Sequence, residues 1–202
     1  MLVIDASQSL GHIDLRLGGS YFTALCSAGH KALFGIQGSA FALINDAPLF
    51  DTLTEGGSGV DSFSRSMPLL LPERYEAGTM ATPAIAGLNA GIEFINEIGI
   101  KSIQARLSFL TEILQDKLSS IPDIEIYGAE QGIASFNLRD LPSSYVSSIL
   151  DKANIATRPG YHCAPLLHRK LNTQSRGAVR ASISYFNTEY DITRLTDALR
   201  KI

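Results

Sequence analysis

Two kinds of hydrophobic spacing divide the chain. From position 82 onward apolar residues step by three and four. TPAIAGLNAGIEFINEIG has a proline in its first turn behind Thr82, which reads as the cap, and closes on Gly99, so the spacing predicts a helix. In the next stretch Ile103, Leu107, Leu110, Leu114 and Leu118 fall on one stripe, which predicts a second helix with a single buried face. Beyond it the strand-like runs IEIYG, IASFNL, IATR and AVRASISYF are interleaved with helical spacing in SSYVSSILDKA and EYDITRLTDALRKI. That alternation belongs to a compact α/β domain.

Before position 46 the texture differs. LVID, YFTALCSA and SAFALIN read as buried strands separated by glycine-marked turns, with Cys26 as a core residue, and no helix-length amphipathic stretch accompanies them. A parallel sheet needs both faces covered, so this opening reads as the interior of a larger fold. Residues 46–80, marked by GGSG, MP and LPE, read as an irregular connection of the sort that carries functional loops. There is no internal repeat and no low-complexity tract.

Composition narrows the function classes. With 202 residues, 45% hydrophobic and 18% charged, the chain reads as soluble and globular. The net charge of −3 comes without a basic run or an aromatic-plus-arginine stripe, which argues against a nucleic-acid partner. No apolar run is long enough to cross a bilayer, which argues against a membrane partner. Cys26 and Cys163 are too few for a disulfide framework and too far apart for a metal-binding pair, so a reducing, cytoplasmic setting is expected.

Candidate chemistry gathers at a few positions. Lys31, in CSAGHKALFG, follows a glycine and a histidine in an apolar segment with no acid to neutralise it. Burying an ammonium there is costly unless it is paired, solvated or converted to a Schiff base. Asp5 ends the first predicted strand, and taken alone it reads as a helix or turn cap. Adjacent strands would bring Asp5 and Lys31 to one crevice at their carboxyl ends. An acid that keeps a pyridine nitrogen protonated, facing a lysine that holds an aldehyde carbon, is what pyridoxal phosphate chemistry requires.

Cys163 lies in RPGYHCAPLLH. An isolated free cysteine is commonly an inert filler, but here Pro159 and Gly160 make a turn, and Arg158 and His162 favour the thiolate. A metal site from His162, Cys163 and His168 is disfavoured, because neighbouring side chains point apart and no second cysteine pair exists. Arg180, inside the alternating AVRASISY, is either a bidentate clamp for a substrate carboxylate or an arginine on the solvent face. Asn187, just after that strand, caps the last helix, orders the arginine, or does both.

Taken together, VIDASQSLGHIDL, SAGHKALFGIQGSAFAL, PERYEAGTMATPAIAGLNAGIEFI, RPGYHCAPLLH and GAVRASISYFNTEYDI resemble the class V aminotransferase family, specifically its cysteine desulfurase branch. The resemblance implies part of a fold type I PLP-dependent transferase large domain (1–80), followed by a connecting helix and a smaller C-terminal α/β domain (81–202). It also implies that the chain starts within the large domain, without the N-terminal part that supplies a Gly/Thr phosphate loop and a ring-stacking histidine.

Position by position, the resemblance makes Lys31 the Schiff-base lysine, Asp5 the partner of the pyridine nitrogen and Gln8 the partner of the ring's phenolic oxygen. His30 would reach the cofactor phosphate. Ala28 stands where many relatives carry a phosphate-binding serine, with Ser27 adjacent. Ser58 of GGSG would reach the phosphate of a second copy in a homodimer, and Glu76, Gly78 and Thr79 would form a structural junction. Cys163 would form the persulfide, flanked by His162 and Arg158, and Arg180, with Asn187, would bind the substrate.

The implied activity converts L-cysteine to L-alanine, with sulfur passed from Cys163 to an acceptor protein or reductant. Two alternatives stay open. One is another pyridoxal enzyme of the family, such as a selenocysteine lyase, an epimerase-like enzyme or a carbon–sulfur lyase. The other is a truncated, noncatalytic fragment that needs a missing N-terminal half.

Overall fold

The structure, a computed structural model, describes residues 1–17, 21, 23–45 and 50–202. It divides into two compact units, Met1–Ile100 and Lys101–Ile202.

In the first unit β1 (Val3–Asp5), β2 (Ala24–Ala28) and β3 (Ala40–Ile44) form a sheet in that order, β1 parallel and β3 antiparallel to β2. Phe22, in the first part of the second predicted strand, lies outside the described residues. Asp5 pairs with Cys26 and Cys26 with Ala42, so their side chains share one face. That face is open. Cys26 is exposed, contrary to its expected place in the core, whereas its neighbours Leu25 and Ser27 point to the opposite face and are buried.

The helix α1 (Thr82–Ile98) buries Leu88, Gly91 and Ile95. Its cap differs from expectation: Ala81 is the N-cap residue, and the Thr82 hydroxyl donates to the Met80 carbonyl at 3.3 Å. Gly99 does close the helix, with φ of 85° and its N–H on the Ile95 carbonyl at 2.8 Å. Gly91 lets the helix lie against the chain after β2, since a Cβ there would collide with the Leu33 carbonyl oxygen.

Helix propensity alone would make Gly91→Ala stabilising. With a backbone carbonyl in the way, the variant is expected to lose about 1–3 kcal/mol instead, read as a lower urea midpoint.

The second unit is a four-stranded antiparallel sheet in the order β4 (Ile124–Glu130), β5 (Ile133–Leu138), β7 (Ala178–Ser182) and β6 (Arg158–Gly160). Its helices are α2 (Ile100–Ser119), α3 (Ser143–Lys152), α4 (Pro165–Lys170) and α5 (Glu189–Leu199). The predicted stripe of α2 is buried throughout, Ile103 to Leu118 being at most 1% exposed. Ala134, Phe136 and Leu138 alternate along β5 on the buried side, while Ile133 and Ser135 on the other side are half-buried.

Two elements depart from the sequence reading. The strand expected at IATR falls later, at β6, and the short helix α4 carries too little periodicity to have been read.

At the start of α5 the Asp191 carboxylate accepts the Thr188 N–H at 2.9 Å and an Asn187 amide N–H at 3.3 Å. These bonds, the Thr188 N–H first, hold its carboxyl below the usual carboxylate range. A depressed carboxyl stabilises the fold above its unfolded-state range and loses that contribution as pH falls through the folded value. Asp191→Asn is therefore expected to melt below the parent protein at about pH 6, with the gap narrowing as pH falls through the folded value.

Candidate active site

In the first unit Asp5 ends β1 and Lys31 follows β2, so both lie at the carboxyl end of a parallel pair, where open α/β sheets bind ligands. The Asp5 carboxylate is exposed and accepts the Ser7 N–H at 2.9 Å. Hydrogen bonding from the Ser7 side chain and then its backbone holds Asp5 below the usual carboxylate range, and the charge of Lys31 acts in the same direction. The turn reading of Asp5 and its nearness to Lys31 are thus both present.

The loop carrying Lys31 is fixed by its backbone. Gly29 N–H donates to the Ser39 carbonyl at 2.8 Å, Phe34 N–H to the Lys31 carbonyl at 3.1 Å and Gly35 N–H to the Gly29 carbonyl at 2.9 Å. Gly29 is required where it stands, since a Cβ would strike the Ser39 hydroxyl. Lys31 itself is exposed between buried Gly29 and buried Ala32, so its ammonium is solvated.

His30 and Gln8 are also exposed. Ser27, adjacent to Ala28, is 4% exposed and its hydroxyl donates to the Ala6 carbonyl at 3.5 Å, so it faces away from Asp5. Ser58 lies in the connection, its hydroxyl accepting the Val60 N–H at 3.5 Å. That loop is tied to the Glu76–Thr79 junction by the Gly78 N–H on the Gly57 carbonyl at 2.9 Å.

In the second unit Arg180 of β7 stands opposite Ser135 of β5 and Arg158 of β6, on the sheet face away from the core. Arg158 reaches to 4.0 Å of the exposed Cys163 Sγ, and His162 Nε2 lies 2.9 Å from the Arg158 carbonyl. His162 and Cys163 both have left-handed backbone, with φ of 50° and 61°. Such residues cost on the order of 1–3 kcal/mol each and persist where the surroundings hold them.

Burial pushes the His162 imidazole below its ordinary value. The Arg158 carbonyl opposes that shift, and the charges of Arg180, His168 and Arg158 reinforce it. Burial first, then Arg158, also lowers Arg180, while negative charge on Cys163 acts the other way.

Arg180 Nε is buried with no hydrogen-bond partner among the described residues, a donor suited to an anionic ligand. It borders a cleft of about 630 Å³ together with His162, His168, Leu167, Ser135 and Gln131. Gln131 Oε1 is likewise buried without a partner, and nothing in the sequence pattern marks it.

The structure thus brings Arg158, His162, Cys163 and Arg180 together. It sets Asn187 apart, with its side-chain oxygen accepting the Ser184 N–H at 2.8 Å and its amide on Asp191, beside a different cleft of about 310 Å³. Among the described residues no group of His, Cys, Asp and Glu side chains is placed to hold a metal, and no helix is long and apolar enough to cross a membrane.

An ionised carboxylate and a solvated lysine at one strand end fit the ring nitrogen and aldehyde of pyridoxal phosphate, and an unpaired arginine donor fits a substrate carboxylate. The chain belongs to the aminotransferase class-V family, whose model matches residues 1–195.

It is 37% identical over 213 residues to a probable cysteine desulfurase of Methanothermobacter thermautotrophicus, covering 100% of this chain and 53% of that protein. The apo structure of a cysteine desulfurase from Thermococcus onnurineus superposes with a TM-score of 0.87 at 28% identity, covering 100% of this chain and 52% of that one. A structure of the lyase C-DES with glycine covalently linked to its PLP cofactor shares the fold, with a TM-score of 0.74 and 21% identity over 96% of this chain and 50% of that one. The chain spans about half the length of the curated relatives it matches.

Proposed function

We propose that this chain carries the lysine and cysteine machinery of a PLP-dependent cysteine desulfurase that converts L-cysteine to L-alanine. The observation that carries the reading is the ionised Asp5 in the field of Lys31 at one strand end. The Arg158–Cys163–Arg180 cluster adds the sulfur chemistry. Residues 1–80 serve as part of the cofactor-binding domain and 81–202 as connecting helix and small domain.

When bound, pyridoxal phosphate supplies an electron sink for charge developing at the substrate α-carbon. Asp5 would keep the ring nitrogen protonated, Gln8 would bond the ring oxygen, and His30 with Ser58 of a second copy would contact the phosphate. Lys31 would hold the cofactor's aldehyde carbon, and its amine would move the α-proton of cysteine. Arg180 takes the substrate carboxylate, with Arg158 and His162 supporting it.

The Cys163 thiolate attacks the substrate sulfur. A sulfur–sulfur bond forms and the carbon–sulfur bond breaks, its electron pair remains with carbon, and carbon takes up a proton. Alanine and a persulfide on Cys163 result, and no outside oxidant or reductant is consumed. The sulfur then leaves to an acceptor protein or reductant, in a cytoplasmic setting consistent with two free cysteines.

The chain's share of its relatives' length, and exposed Val3 (51%) and Leu43 (52%) on the first sheet, favour a second reading: a noncatalytic fragment that binds the cofactor weakly and associates. Co-expression with a polypeptide matching the relatives' other half separates the two. Alanine and Cys163 persulfide formed by the pair, but not by the chain alone, establish a functional half. No alanine from either preparation refutes the desulfurase.

A further inference from the structure

We infer that His168 is a positioning residue for Cys163, acting through the rings of Tyr161 and His162. The inference rests on the reading of Cys163 as the nucleophile. His168 enters the sequence pattern only as a rejected metal ligand, and the steps above do not use it. Yet it is 3% exposed, and its Nδ1 lies 2.7 Å from Oγ1 of Thr173, which is itself fully buried. Thr173 N–H donates to the His168 carbonyl at 3.0 Å, and its carbonyl accepts the Gly177 N–H at 2.7 Å, so the anchor is continuous with the approach to β7.

The anchored ring touches both residues before the thiol. Tyr161 meets it edge-on with centroids 5.3 Å apart, and His162 at 5.8 Å. Tyr161 is held at its far end by its hydroxyl on the Gln174 carbonyl at 2.6 Å, and His162 by the Arg158 carbonyl. His168 therefore closes the space behind a turn whose two left-handed residues, His162 and Cys163, need external support. Because Arg158 is held through His162 and approaches Sγ, withdrawing the ring loosens the cation from the sulfur. The charged and titratable groups facing this assembly are Arg158 from β6, Arg180 from β7, Tyr161 and His162 from the turn, and Tyr127 and Glu130 from β4.

The test is site-mapped alkylation of the full chain by iodoacetamide, with exposed Cys26 as internal reference. His168→Ala and Thr173→Val are expected to lower the Cys163-to-Cys26 rate ratio at about pH 7 by roughly fivefold, and by less in alkaline buffer. His168→Phe, which keeps a ring but not the anchor, falls between. A ratio unchanged in both the alanine and the valine variant overturns the inference, as does a loss equal at all pH values, which marks simple damage to the fold. If His168→Ala fails to fold, Thr173→Val decides.

The assay needs neither cofactor nor cysteine. Absence of desulfurase turnover leaves its outcome intact, and an active desulfurase whose thiol ratio ignores His168 overturns this inference alone.

Discussion

A chain with Lys31→Ala, incubated with pyridoxal phosphate and reduced with borohydride, is expected to lose the pyridoxyl mass label that the parent protein carries at that position. Six lysines compete for the aldehyde, at positions 31, 101, 117, 152, 170 and 201. Exposure does not single out Lys31, since most of the others are exposed too. Its distinction is the Asp5 carboxylate at the same strand end, hydrogen-bonded by Ser7, and a loop fixed by Gly29 and Gly35. A preference of only 1.4 kcal/mol gives about a tenfold excess of label on Lys31 over any other lysine.

Asp5→Ala should erode that excess while leaving the remaining lysines as they were. Lys31 is exposed, so its replacement should leave the melting temperature in place and keep loss of label separate from loss of fold. Uniform labelling of all six lysines in the parent chain refutes the cofactor reading.

The second large effect concerns sulfur. In the pair reconstituted with the relatives' other half, Cys163→Ala is expected to cut alanine formation from cysteine by about 10³-fold or more, as removal of a covalent nucleophile does. The Lys31 label should survive, because Cys163 lies in the second unit and the label reports on the first. Cysteine turnover persisting near the parent rate assigns the chain instead to a selenocysteine lyase if the product is alanine, or to a carbon–sulfur lyase if it is pyruvate and ammonia. Loss of the label together with turnover marks a folding defect.

Much of this arrangement was legible in the sequence, for reasons that differ by element. The stripe from Ile103 to Leu118 and the alternation in IASFNL are set by burial on one side, and the structure reproduces β5 residue for residue. Asp5 and Lys31 were placed together because each ends or follows a strand, and the parallel pairing of β1 with β2 keeps them so.

Cys26 reads as core in the sequence and is exposed in the structure, because an apolar run does not reveal which face of a sheet is covered. Only the register with Asp5 and Ala42 does. In α4 the exposed Leu166 and Leu167 hide the helix while its buried position is a histidine, so hydrophobic spacing is misleading there. For Asn187 the pattern admits both a cap and an arginine partner, and the hydrogen bonds to Ser184 and Asp191 join it to the start of α5.

The register that exposes Cys26 also makes it a built-in reporter. With Cys163 replaced by serine, a small maleimide fluorophore has a single thiol to take, one strand spacing of about 4.8 Å from the backbone of Asp5. Whatever settles over that carboxylate, whether a heterocycle or a complementary polypeptide, must displace or quench the dye, so occupancy of the open face is readable by emission before any turnover is assayed.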